Sequence, residues 1–95
     1  MKMAVSHILV DQKFEAEDLL RKLNEGASFE ELARKHSKCP SAAQGGDLGV
    51  IDSRRLDEDF AEAAGLLKTG QISGTVRTRF GYHLILRKPL PGEAP

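Results

Sequence analysis

The chain has 95 residues, with 14 basic and 14 acidic side chains and therefore no formal net charge. A chain of this length forms one small domain, and a neutral one generates no net field that would attract nucleic acid or an anionic membrane. These features argue against a strongly basic nucleic-acid binder, and we predict a single domain over residues 1–95 with no nucleic-acid or membrane partner.

The first third of the chain predicts a strand followed by two helices. Residues 3–10 are rich in Val, Ile and Leu, which favours a strand. Apolar residues then recur at helical spacing from Phe14 to Leu23, and Gly26 ends that segment. The pattern at 28–31 is a capping box that begins a second helix. The predicted inner faces are Phe14, Ala16, Leu19, Leu20 and Leu23 for the first helix, and Phe29, Leu32, Ala33 and His36 for the second.

The remaining predicted elements are shorter. A Gly-rich turn at 45–47 leads into a strand over 48–51, and three carboxylates at 57–59 begin a third helix, where negative charge suits the helix dipole. Two extended pieces follow, around 75–78 and over 80–88, and the Pro-containing tail 89–95 is predicted to be disordered. Because helices and strands do not alternate regularly, we predict the α+β class.

Three segments carry most of the functional information. Residues 6–10 and 80–86 each place one histidine in a run that favours a strand, and residues 36–49 place the single cysteine before a Gly-rich turn. In this order the segments resemble the parvulin family of peptidyl-prolyl cis-trans isomerases over residues 5–88, and in particular its small single-domain bacterial members. The resemblance implies a four-stranded antiparallel sheet with the first and last strands at its centre, surrounded by three to four helices.

The two strand histidines are His7 and His83. Side chains alternate along a strand, so His7 shares a face with Val5 and Leu9, and His83 shares one with Ile85. On pattern alone, the two imidazoles are hydrogen-bonded core histidines that hold the sheet together. The resemblance implies an active-site pair that keeps the site in shape rather than donating a proton to substrate.

Cys39 has several interpretations. A free cysteine is often buried and inert. A thiolate nucleophile would need an orienting partner and an oxyanion hole, and neither is visible in the sequence. A zinc site is disfavoured because no short Cys or His ligand pair is present. The resemblance implies that Cys39 lines the site without forming a covalent intermediate. We also predict that no metal or cofactor takes part.

The other predicted site residues are Thr78 and four apolar side chains. The resemblance assigns Thr78 to the hydrogen-bonded group of the histidines, whereas its sequence position alone also fits an ordinary strand-surface threonine. The apolar residues would hold the proline ring, although such residues are also typical of a plain core. The predicted catalytic set is His7, Cys39, Thr78 and His83, and the predicted substrate-binding set is Leu48, Leu56, Phe60 and Phe80.

The predicted function is isomerisation of Xaa-Pro bonds in proline-containing peptides and in unfolded or flexible protein chains. We expect no strict requirement for phosphate before proline, because the first strand enters a helix without room for a basic loop and Asp11 would repel phosphate. The main alternative is a catalytically weak peptide-binding or chaperone domain of the same fold. One cysteine and the lack of an apolar leader favour the cytoplasm, and we predict a monomer.

Overall fold

The computed structural model describes residues 1–92 and contains one four-stranded sheet. Two short 3-10 helices cover Pro40–Gln44 and Ser53–Arg55. The strands are all antiparallel to their neighbours, in the order β2-β1-β4-β3. The predicted α+β class and the central position of the first and last strands are confirmed. The elements are β1 (Lys2–Val10), α1 (Lys13–Asn24), α2 (Phe29–His36), β2 (Asp47–Asp52), α3 (Glu58–Gly65), β3 (Val76–Thr78) and β4 (Gly81–Lys88).

The central strand β1 is covered on both faces, which explains its nearly continuous apolar sequence. Alternation places Ile8 and Val10 in one cluster with residues of α1 and α2. Met3 and Val5 point the other way and form a second cluster with Phe60 and residues of α3 and β4. The members of the first cluster are Ile8, Val10, Ala16, Leu19, Phe29, Leu32, Ala33 and Leu84, and those of the second are Met3, Val5, Phe60, Ala64 and Ile85.

The register between β1 and β4 brings the two strand histidines together. His7 is paired with Ile85, and Leu9 is paired with His83, so the histidines are diagonal neighbours. Both belong to the odd-numbered set that faces α3, as the alternation of side chains predicted. The sheet therefore presents His7 and His83 side by side on the α3 face.

Two glycines permit close backbone contacts on either side of β1. Gly46 has φ of 86°, and a Cβ at this position would lie 2.3 Å from the His7 carbonyl oxygen. The same close approach forms the hydrogen bond from the His7 N–H to the Gly46 carbonyl, at 2.9 Å. Gly81 has φ of 138°, and a Cβ there would lie 2.5 Å from the Val10 carbonyl oxygen. Any larger residue at either position would displace β1.

Several local predictions need correction. Phe14 is 70% exposed, whereas Ala16 is fully buried. The two residues are separated by about 200° of rotation around α1, so Phe14 points away from the buried face. His36 is also exposed as the last residue of α2. Within residues 1–92, only the serine half of the predicted capping box forms, with the Glu31 N–H donating to Ser28 Oγ at 3.3 Å. Neither 3-10 helix was predicted.

The predicted disordered tail is described only as far as residue 92. Residues 89–92 belong to no helix or strand, and residues 93–95 lie outside the described part of the chain. Within residues 1–92, the helices are too short and too polar to cross a bilayer.

Candidate active site

A cavity of about 380 Å³ opens on the α3 face of the sheet, beside the two histidines. Its walls come from the end of β1, the segment before the first 3-10 helix, β2, the segment that leads into α3, and the start of β4. The lining residues are His7, Leu9, Lys38, Cys39, Pro40, Leu48, Arg55, Leu56, Asp57, Phe60, Phe80 and His83.

The floor of the cavity is the histidine pair. The Nδ1 atoms of His7 and His83 are 3.0 Å apart, and the two rings are stacked with centroids separated by 5.2 Å. Phe60 packs edge-on against both rings, with centroid distances of 5.4 Å to His7 and 5.2 Å to His83. Only 5% of His7 and 4% of His83 are exposed, so both imidazoles are held in place by the core.

Burial keeps both imidazoles neutral. Burial, and to a lesser extent repulsion from His83, lowers the pKa of His7 to about 4. Burial also lowers the pKa of His83 to about 4, against the opposing attraction of the Asp57 carboxylate. At pH 7 the pair therefore carries no charge, and each ring offers one N–H and one lone pair.

Thr78 extends the histidine pair into a chain of three hydrogen-bonded groups. Its Oγ1 lies 2.7 Å from His83 Nε2 and accepts the Phe80 N–H at 3.1 Å. A hydroxyl has one O–H and two lone pairs, so Oγ1 either donates to His83 Nε2 or accepts from it, according to the tautomer of His83. The same tautomer decides which of the two Nδ1 atoms donates in the His7–His83 bond.

This arrangement leaves one buried ring nitrogen at the end of the hydrogen-bonded chain. His7 Nε2 is buried and has no hydrogen-bond partner within residues 1–92. A buried donor or acceptor without a hydrogen-bond partner destabilises a protein by about 1–3 kcal/mol. Such unsatisfied groups are rare in folded proteins, and within residues 1–92 Ser41 Oγ, which lies outside the cavity lining, is another.

Cys39 is positioned by the segment that follows α2. The Lys38 N–H donates to the Leu9 carbonyl at 2.8 Å, and the Cys39 N–H donates to Ser37 Oγ at 3.4 Å. The thiol is half-buried in the cavity wall. Within residues 1–92 it makes no hydrogen bond to His7 or His83, so the nucleophile–base contact that a thiol hydrolase requires is not formed.

The apolar wall is formed by three side chains that the α3 region brings together. Leu48 lies on β2, Leu56 follows the second 3-10 helix, and Phe60 lies in the first turn of α3. The Asp57 carboxylate caps α3 by accepting the N–H groups of Asp59 at 2.9 Å and Phe60 at 3.4 Å. Leu48 and Leu56 are only partly buried, so their apolar surface faces the cavity as well as the core.

Comparison with known proteins identifies the domain. The family model described as "Rotamase: PPIC-type PPIASE domain" matches residues 5–88. The chain belongs to the PpiC-type peptidyl-prolyl isomerase family. The predicted parvulin family and enzyme class are thereby confirmed at the level of the family, and the histidine pair, Cys39 and the apolar wall lie in the cavity of a parvulin-type domain.

Individual relatives support the same assignment. The foldase protein PrsA of Bacillus subtilis is 47% identical over 93 residues, which are 97% of this chain and 32% of that protein. The crystal structure of the Bacillus anthracis peptidylprolyl isomerase PrsA has a TM-score of 0.92 and 42% identity, covering 99% of this chain and 44% of that one. The parvulin NmPin of Nitrosopumilus maritimus has a TM-score of 0.84 and 36% identity, covering 93% of this chain and 96% of that one. The chain thus spans about a third of the PrsA length.

The structure brings seven of the eight predicted site residues to the parvulin cavity. His7, His83 and Cys39 line it on one side, and Leu48, Leu56 and Phe60 line it on the other. Phe80 lies at the rim and is 58% exposed. Thr78 is buried behind His83 rather than in the wall, because its hydroxyl bonds to His83 and to the backbone. Its contact with His83 is the one that the family resemblance implied.

Sequence reasoning missed five residues of the cavity wall. None of them was predicted to line it, and they are Leu9, Lys38, Pro40, Arg55 and Asp57. Pro40 directly follows Cys39, and Arg55 and Asp57 flank Leu56, so adjacency to predicted residues was the available signal. Within residues 1–92, no three His, Cys, Asp or Glu side chains lie close enough together to hold a metal ion.

Proposed function

We propose that this domain accelerates cis-trans isomerisation of Xaa-Pro bonds in proline-containing peptides and in unfolded protein chains, without a strict requirement for phosphate before proline. The observation that supports the proposal best is a cavity with one apolar wall and a floor of two neutral imidazoles. The foldase PrsA among the relatives supports protein chains as the substrate class.

The chemistry requires a shaped, dry site rather than a nucleophile. Resonance gives the peptide bond a rotational barrier of about 18–20 kcal/mol, and X-Pro bonds exchange over tens to hundreds of seconds. In the twisted state the amide loses resonance and part of its dipole, so an apolar cavity favours it over the planar state. An acceleration of about 10⁴–10⁵ requires only about 5–7 kcal/mol.

Each group of residues has one task in this proposal. Leu48, Leu56 and Phe60 hold the proline ring, and Cys39 provides a weakly polar surface close to the reacting carbonyl. His83, fixed by Thr78, holds His7 and the floor of the cavity in position. A neutral floor matters because a charged imidazolium would bind water and raise the polarity of the site.

The test is the cis-to-trans rate of an Ala-Pro test peptide, with and without the protein. Replacing Leu56 by Ala removes apolar contact with the ring and is expected to lower kcat/KM roughly tenfold. The matched control is Leu66→Ala, because Leu66 is 81% exposed and does not line the cavity, and its kcat/KM should be unchanged.

The result also separates the proposal from its alternative. A folded protein that binds the peptide without accelerating it would be a peptide-binding or chaperone domain. Equal losses in Leu56→Ala and Leu66→Ala would show that the cavity is not where the proline ring binds.

A further inference from the structure

Three charged side chains line the cavity. Two of them already form ion pairs or hydrogen bonds with other groups of the domain. Lys38 Nζ lies 2.6 Å from the Asp11 carboxylate, which raises the lysine pKa through a hydrogen bond and direct charge attraction. The Asp57 carboxylate accepts two backbone N–H groups of α3 and lies 3.8 Å from Arg79 Nε. Their charges are largely balanced by these partners.

Arg55 is the third charged side chain, and its charge is not balanced in this way. It is exposed, it lines the cavity beside Leu56, and none of the ion pairs or side-chain hydrogen bonds within residues 1–92 involves it. A guanidinium group is always charged and has five N–H donors that match a carboxylate or phosphate. The wall that holds the proline ring therefore ends in a cation available to substrate.

The neighbouring Arg54 shows that an unbalanced charge is not common to both arginines of this 3-10 helix. Arg54 lies in the same 3-10 helix, but its Nε and Nη2 atoms bond to the two Asp52 carboxylate oxygens at 3.1 and 2.8 Å. Arg54 does not line the cavity. The two consecutive arginines therefore differ, since Arg54 binds Asp52 whereas Arg55 lines the cavity.

We propose that Arg55 gives the isomerase a preference for an anionic side chain next to the substrate proline. The inference rests on the proposed function, because a proline ring against Leu56 brings the flanking residue of the substrate close to Arg55. The shared chemistry is an oxyanion, either the carboxylate of Glu or Asp or a phosphate. Because Arg55 is exposed and screened by solvent, the preference is modest, about two- to fivefold in kcat/KM.

The experiment compares kcat/KM for peptides with Glu, Gln, Lys, Ala or phosphoserine next to proline, placed before it in one set and after it in another. Gln is the neutral counterpart of Glu in size and shape. The Glu/Gln ratio should be about two to five in low salt and approach one in 1 M salt, where the screening length is about 3 Å. The phosphoserine peptide distinguishes a preference for phosphate from one for carboxylate.

Substitutions at the two arginines assign the preference to its residue. Arg55→Gln should bring the Glu/Gln ratio to about one, and Arg55→Glu should favour Lys over Gln. Arg54→Gln is the matched control, since it removes the same charge one residue away, and it should keep the ratio of the unchanged protein. Lys38→Gln should also keep it.

Several outcomes would overturn the inference. A Glu/Gln ratio of one in both peptide sets, with the Ala-Pro peptide still accelerated, would reject it while the proposed function stands. A ratio that survives Arg55→Gln, or that disappears in Lys38→Gln, would assign the preference elsewhere. If no peptide is accelerated, the proposed function fails. The ratio of the dissociation constants of the Gln and Glu peptides then shows whether Arg55 favours an anionic side chain in binding.

Discussion

His7 and His83 link the stability of the domain to pH. Their pKa values are about 4 in the folded protein and about 6.5 in an exposed imidazole. As the pH falls from 7, the unfolded chain binds protons before the folded one does, so the free energy of unfolding decreases between pH 6.5 and 4. The expected loss is on the order of 3 kcal/mol or more, measured by urea unfolding at pH 7, 6, 5 and 4.5.

The control for this profile is His36→Gln, which removes the exposed histidine at the end of α2 and leaves the buried pair intact. The loss of stability that the pair causes between pH 6.5 and 4 should persist in this variant. A free energy of unfolding that stays constant from pH 7 to 4.5 would contradict the neutral pair, because it would mean that His7 and His83 accept protons equally well in both states.

At the scale of elements, the turn before β2 packs directly against the backbone of β1 at His7. Gly46→Ala is expected to destabilise the domain by about 2 kcal/mol or more, since the new Cβ would meet the His7 carbonyl at 2.3 Å in addition to the strain of positive φ. Gly49→Ala is the control, because Gly49 has φ of 68° with open space around it. It should lose only about 1 kcal/mol. Urea unfolding of both variants measures the difference, and equal losses would show that the contact is unimportant.

The elements also show what the sequence could and could not predict. Alternation along β1 and β4 placed His7 and His83 on one face, because a strand has only two faces and both were fixed by apolar neighbours. The two 3-10 helices were missed because they are held by local groups, such as the Arg54 N–H bond to Asp52 at 3.0 Å, that leave no periodic pattern. The direction of Arg55 could not be predicted for the same reason, since it depends on which side chain Asp52 binds.

For the whole molecule, the pairing of β1 with β4 is the central stabilising contact. Both strands are buried in the sheet interior and come from opposite ends of the sequence, so their amides should exchange with solvent only when the whole domain unfolds. Amides in the three-residue edge strand β3 should exchange through smaller, local openings. Hydrogen exchange by NMR at several urea concentrations measures both. Faster exchange at Leu84 than in β3 would contradict this order.

The matched region is about a third of the PrsA sequences. The cytoplasmic location, the monomeric state and the domain limits at residues 1 and 95 stay predictions.

The β1–β4 pairing has a consequence for how the domain can be joined to other sequences. Ala4 lies opposite Lys88 in an antiparallel ladder, so the start of β1 and the end of β4 are about 5 Å apart. A polypeptide that enters through β1 therefore leaves beside its point of entry. The two points at which the domain would be joined to a larger protein are therefore as close together as the ends of a short surface loop. Such a module can be inserted between two parts of a larger protein without pushing them apart.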